Sequence, residues 1–208
     1  MCSRARTPPT ISVPLRSTAS ADDRLAGLTP VDWRAVFGND RPVEVEIGPG
    51  RGETLLAAAV ARPDVNLFGI EHNGRAAETL AGMAASRGLA NVHVVAGDAH
   101  CIVGRLVPDA SVEAYYIYFP DPWPKTRHRD RRLAAPGFAR HLLRTLATPG
   151  RIHVLTDLAP LLATFVLQLS RAGLVHEREA HPPAVRPTTH YERKYGGGGV
   201  YYARFSRP

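Results

Sequence analysis

Apolar positions recur along this chain in two alternating rhythms. Short runs rich in Val, Ile and aromatic residues predict buried strands over residues 43–47, 66–70, 92–95, 112–119 and 152–155. Between them, stretches rich in Ala and Leu predict helices over 53–61, 74–87, 99–106, 138–146 and 161–171. The punctuation agrees: Gly88 and Gly173 end two of these helices, and Pro149-Gly150 ends a third. Ahead of the series, a short helix is predicted with Thr29 as N-cap, Pro30 at its first position and Gly38 at its end. Trp33 and Phe37 stand four apart in it and share a face. Residues 174–179 and 200–205 read as a last antiparallel pair. Strands alternating with helices imply an α/β fold, a mostly parallel sheet with helices on both faces.

Residues 1–24 mix Ser, Thr, Pro and Arg without a period. They read as a flexible basic arm, which leaves residues 25–208 as one domain. The chain has 208 residues and a formal net charge of +7, from 26 Lys and Arg against 19 Asp and Glu. The excess cations gather at the N-terminus, at 125–132 and near the C-terminus. Such clustering favours an anionic partner, with nucleic acid ahead of membrane. No apolar run approaches the roughly 20 residues of a membrane span. Arg4 and Arg6 have no apolar segment behind them, so a secretory signal is not expected and a cytoplasmic location is. Cys2 and Cys101 offer neither a disulfide pairing nor a metal-ligand spacing, so no metal is expected.

Candidate chemistry gathers where strands end. Gly48, Gly50 and Gly52 follow the first strand and open a helix, a place where backbone can approach a ligand closely. The spacing is G-x-G-x-G rather than the G-x-G-x-x-G of nicotinamide dinucleotide sites. Three successive strands end at Glu46, Glu71 and Asp98, and Glu71 is placed to accept bonds from a ribose diol. Carboxylates would repel a pyrophosphate. They suit S-adenosylmethionine, which carries a sulfonium and an ammonium and no phosphate. The fourth strand runs into Phe119-Pro120-Asp121-Pro122-Trp123-Pro124, where proline stops any ladder and holds Asp121 at a strand end. Lys125, Arg127, Arg129, Arg131 and Arg132 follow at once, a phosphate-sized cationic cluster that suits a polyanion. Trp123 could stack on a base or wall the cofactor pocket. His72, His93, His100 and His153 are scattered and read as structural.

With these motifs in place, the chain resembles the bacterial tRNA (guanine-N7)-methyltransferases over about residues 40–205. The carriers are EIGPGRG at 46–52, GIEHN at 69–73, GDA at 97–99, FPDPWPKTRHRDRRL at 119–133, TD at 156–157 and RPTTHYER at 186–193. The resemblance implies a Rossmann-like class I methyltransferase fold, with a seven-stranded sheet and an antiparallel C-terminal strand pair. It implies S-adenosylmethionine as cofactor, held by Glu46, Gly48, Gly50, Glu71, Asp98, Ala99 and Asp121, and tRNA as partner. Asp121 matches the catalytic aspartate of such enzymes. Lys125, Asp157, Thr189 and Glu192 match the substrate contacts, and either Asp157 or Glu192 could hold the donors of a guanine edge. A monomer or homodimer is expected. Two departures stand out: the late motif reads Thr189-His190-Tyr191-Glu192 where the family has Thr-Lys-Phe-Glu, and a glycine run at 196–199 follows it. Both lie on the substrate side and leave a second reading open, methylation of a small nitrogen heterocycle. A non-enzymatic RNA-binding protein and an NAD oxidoreductase fit the three acids and the glycine spacing less well.

Overall fold

The computed structural model describes residues 29–122, 133–178, 180–183, 186–195 and 199–208. The predicted arm at 1–24 and the cationic run at 125–132 lie outside them.

A strand buried along its whole length needs cover on both faces. The strands β1 (Val43–Ile47) and β2 (Asn66–Glu71) are buried at every position. They are interior strands of a seven-stranded sheet with β3 (Val92–Ala96), β4 (Val112–Tyr118), β5 (Leu146–Thr156), β6 (Val175–Glu177) and β7 (Tyr201–Ser206). The order is β3-β2-β1-β4-β5-β7-β6. The first five strands pair in parallel, and β7 runs antiparallel to both β5 and β6. Chain order reverses between β1 and β4, which opens a crevice beyond their carboxyl ends.

Helices cover both faces. The helices α1 (Trp33–Phe37), α4 (Ala99–Cys101), α5 (Pro136–Thr145) and α6 (Ala159–Arg171) lie over the larger core, in which Val45, Phe68, Tyr115, Ile117, Phe138 and Phe165 are essentially inaccessible. On the opposite face α2 (Glu53–Ala61) and α3 (Gly74–Ser86) bury Leu55, Leu67 and Leu80. Since Val43, Val45 and Ile47 face the larger core, the period of two turns Glu44 and Glu46 to the other side. A last short helix, α7 (His190–Tyr195), precedes β7. Among the described residues no helix is long and apolar enough to cross a membrane.

Three local expectations give way to packing. Helix α1 is capped by Asp32, not Thr29: the Asp32 carboxylate accepts from the N–H groups of Arg34 and Ala35 at 3.0 and 3.3 Å. The carboxylate sits one residue before Trp33, so the helix starts where its aromatic stripe starts. The single helix expected over 99–106 is one α-turn followed by a π-turn, Ile102–Leu106, and the wider turn buries Ile102, Val103, Leu106 and Val107 together. Pro149-Gly150 does not end the fifth helix but lies inside β5. Leu146 pairs with Val112 and Arg151 with Ala114, so residues 147–150 bulge out of the ladder. A bulge is where proline's missing N–H costs a strand little.

Gly52 shows how tightly the first crossover is packed. It adopts φ +74°, and a Cβ there would lie 2.0 Å from Leu80 Cδ1. Gly52→Ala combines left-handed backbone strain with overpacking against a buried leucine. The expected loss is roughly 2–5 kcal/mol, read as a lower urea midpoint at unchanged slope.

Candidate active site

The crevice at the β1–β4 switch point is built on the glycine turn after β1. Gly48, Gly50 and Gly52 all hold positive φ, so the chain folds back tightly and the N–H of Gly48 reaches Ile70 O at 2.8 Å. This leaves the N–H of Gly50 to donate to Glu71 Oε2 at 3.0 Å, while Asn73 N–H donates to Glu71 Oε1 at 2.8 Å. Glu71 is thereby fixed at the end of β2, with one lone pair used on each oxygen. Asp98 caps α4 by accepting from Cys101 N–H at 3.2 Å. Across from these acids, Asp121 stands exposed after β4, and no described residue hydrogen-bonds its carboxylate. Gly48, Glu71, Asp98, Ala99 and Asp121 line one cavity of about 240 Å³.

A second cavity of about 240 Å³ adjoins it, sharing Gly48, Tyr118 and Phe119. Its far wall is Thr189, His190 and Tyr191. Phe119 stands between the two in a left-handed conformation, φ 49°, uncommon for an aromatic residue and concentrated at functional sites. Its ring lies 5.0 Å from that of Tyr191, whose hydroxyl donates to Asp157 Oδ2 at 3.3 Å. So Asp157, at the end of β5, reaches the late segment through the tyrosine.

The late segment is held by a network of charges. Thr189 Oγ1 accepts from Glu192 N–H at 3.2 Å, and Glu192 Oε2 accepts from Thr189 N–H at 2.8 Å, a reciprocal helix cap. Arg186 grips both oxygens of Glu192, at 2.6 and 2.8 Å. Burial pushes the Glu192 carboxyl up, but the bonds from Arg186 and Thr189 outweigh it and hold it below the ordinary range. The Arg186 guanidinium in turn lies 5.7 Å from the centre of the Tyr118 ring. Glu53, in the first turn of α2, bonds to His190 N–H and to Arg193. The segment is thus tied both to β4 and to the helix that follows the glycine turn.

Glu46 stands apart from the other two acids. It lines the second cavity and a third, of about 140 Å³, that runs between α2 and β4 to Pro183 and Arg186. At 5% exposure, burial first and the neighbouring Glu71 second push its pKa up to about 8. Tyr118 lines all three cavities, and its buried hydroxyl has no hydrogen-bond partner among the described residues.

The structure therefore brings Gly48, Glu71, Asp98, Ala99 and Asp121 together, with Glu46, Gly50 and Thr189 in the adjoining cavity. Glu192 is spent on Arg186 and the helix cap rather than aimed at open space. Lys125, Arg127, Arg129, Arg131, Arg132 and Trp123 lie outside the described residues. Of the histidines read as structural, His93 stacks on Phe68 and His153 is buried against Tyr116 and Tyr202, but His72 and His100 line the first cavity. Tyr118, Phe119, Arg186 and Tyr191 went unassigned from sequence. Their signal was present in the PDP run that Tyr118 and Phe119 precede and in the late motif.

This fold, with acids and a glycine turn at its switch point, is that of the class I methyltransferases. Solved structures that share it include the 16S rRNA methyltransferase KamB, with a TM-score of 0.62 at 15% identity, covering 82% of this chain and 90% of that one. The precorrin-6y C5,15-methyltransferase of Geobacter metallireducens GS-15 gives 0.58 at 17% identity, covering 82% and 81%. A family model described as "Putative methyltransferase" matches residues 40–202. The tRNA (guanine-N(7)-)-methyltransferase of Pseudomonas syringae pv. syringae (strain B728a) is 35% identical over 187 residues, 86% of this chain and 76% of that protein. Its counterpart in Salmonella typhi is 34% identical over 186 residues, 86% and 77%. The chain belongs to the tRNA (guanine-N7)-methyltransferase family.

Proposed function

We propose that this chain transfers the methyl group of S-adenosylmethionine to N7 of a guanosine in the variable loop of tRNA, in the cytoplasm, as a monomer or homodimer and without a metal. The observation that carries this reading is the pair of joined cavities. One is acidic, backed by the glycine turn and lined by Asp121, the other is walled by the late segment, and Phe119 stands at their junction.

The residues of the first cavity fit the cofactor. Among the described residues, Glu71 accepts one bond on each oxygen, which leaves a lone pair on each for a ribose diol, and Asp98 accepts a bond on one oxygen, which leaves the other beside Ala99. Glu46, in the adjoining cavity beside the glycine turn, suits a cationic amino-acid end. When bound, the cofactor supplies an electrophilic methyl group on a sulfonium, open to in-line attack.

Guanine N7 carries a lone pair and no proton, so no strong base is required. What the chain supplies is alignment, which contributes on the order of 7–11 kcal/mol at best. The purine ring becomes cationic as N7 is methylated, and the Asp121 carboxylate stabilises that developing charge. Asp157, held by the Tyr191 hydroxyl, accepts from the donors of the guanine edge, while Tyr191 and Phe119 offer ring faces. Thr189 lines the base side, and Glu192 acts by keeping Thr189 in place. Lys125 and Arg127, Arg129, Arg131 and Arg132 take tRNA phosphates in this reading.

The small-heterocycle alternative rested on His190, Tyr191 and the glycine run. The Thr189–Glu192 cap and its Arg186 bond persist with those residues in place, so the departures do not dismantle the late motif. Incubation with labelled S-adenosylmethionine and unmodified tRNA, followed by nucleoside analysis, should place the label in 7-methylguanosine. Label absent from tRNA but present in a small heterocycle would sink the reading.

A further inference from the structure

Beside the glycine turn, over the first turns of α3, lies an open groove of about 560 Å³. Gly50 and Arg51 form one bank and the first turns of α3 the other. The floor is apolar, made by Ala76 and Met83 over the buried Leu80, and Arg51 and Arg75 stand on opposite rims. Both arginines are exposed, and neither has a carboxylate partner among the described residues. That sets them apart from Arg62, Arg144, Arg186, Arg193 and Arg204, each committed to an acid. The acids nearest in sequence are occupied or do not pair with them: Glu53 is held by Arg193, Glu71 by two backbone N–H groups, and Glu78 shares the helix with Arg75 without an ion pair.

We propose that this groove is a docking site for one tRNA nucleotide next to the methylated guanosine, its phosphate between Arg51 and Arg75 and its ribose and base edge on the Ala76–Met83 floor. Two planar guanidiniums above an apolar floor match a nucleotide, which pairs an anionic oxygen cluster with a flat, weakly polar body. Location adds a second argument. The N–H of Gly50, on the groove's bank, donates to Glu71 in the first cavity, so groove and cofactor site share one wall. A base drawn out of its stack needs its neighbouring backbone held nearby. The inference rests on tRNA being the substrate and adds a contact surface distinct from the 125–132 run.

The test is tRNA binding by the full chain as a function of salt. Each phosphate contact contributes about 0.7–0.9 to the log–log slope, so Arg51→Ala with Arg75→Ala, which together release the one phosphate, should lower that slope by about 0.7–0.9. Arg75→Glu should raise KM for tRNA at least tenfold. Arg87→Ala, at the far end of α3, serves as the control and should keep the wild-type slope. Because Arg51 also lines the second cavity, calorimetry of S-adenosylmethionine binding to Arg75→Ala reports whether the cofactor loop survives, and an unchanged Kd is expected. A wild-type slope and KM in Arg75→Glu would overturn the groove, as would an equal loss in Arg87→Ala. A wild-type protein that neither binds nor methylates tRNA would instead overturn the functional reading beneath it.

Discussion

Replacing Asp121 by Asn should lower single-turnover methyl transfer to tRNA by about 100- to 1,000-fold, the usual cost of removing one preorganised charge contact. The fold should survive the change. Asp121 is exposed, lies beyond the last paired residue of β4, and holds no hydrogen bond to a described residue. Asn keeps the shape and one accepting oxygen, removes the charge and turns the second oxygen into an N–H donor. The prolines on either side restrict the backbone in the variant as in the wild type. Cofactor affinity should therefore fall far less than rate. A rate loss with a matching loss of cofactor binding would make Asp121 a ligand contact only, and an Asn variant of full activity would remove it from the chemistry.

Glu46→Gln should have two opposite effects that diverge with pH. The Glu46 carboxyl is buried and titrates near 8 instead of its ordinary 4.5. A folded pKa above the unfolded one means stability that is complete below about 4.5 and is lost as pH rises towards 8. The unliganded wild type should weaken across that window by roughly 3–5 kcal/mol, while the Glu46→Gln variant, which has no proton to lose there, should not. Urea unfolding at pH 5 and at pH 8.5 measures the difference. Cofactor binding should run the other way. A cation placed against Glu46 favours the carboxylate, so binding should release a proton, and wild-type affinity should rise from about pH 6 to pH 8. The Glu46→Gln variant should bind weakly at every pH, with no such rise. Calorimetry in two buffers of different ionisation heat counts the proton. Parallel pH profiles for the two proteins would place Glu46 outside the cofactor's reach.

Much of this architecture is written locally. The runs of Val, Ile and Phe that form β1 to β4 stop within a residue or two of where the strands end. The glycines at 48, 50 and 52 are needed because each holds a positive φ. Proline after Phe119 ends β4 with Asp121 just beyond it, so sequence alone places that carboxylate, like Glu71 and Asp98, at the carboxyl edge of a parallel sheet. Period and turn chemistry act over a few residues, and such features survive translation from sequence to structure. Thr189 and Glu192 were legible as a motif in the same way, yet nothing in that motif announced that Arg186 would take both Glu192 oxygens. What a short window cannot contain is a contact made across the chain. Glu53 meets His190 and Arg193 at separations of 137 and 140 residues. Glu46, which the sequence groups with Glu71 and Asp98, is left buried in an adjoining cavity, where burial raises its pKa. The sequence by itself determined β1 to β4, the glycine turn and the strand ends at which the acids stand. Only the tertiary structure decided which of those acids face one another, because burial and partnership are set by segments far apart in the chain.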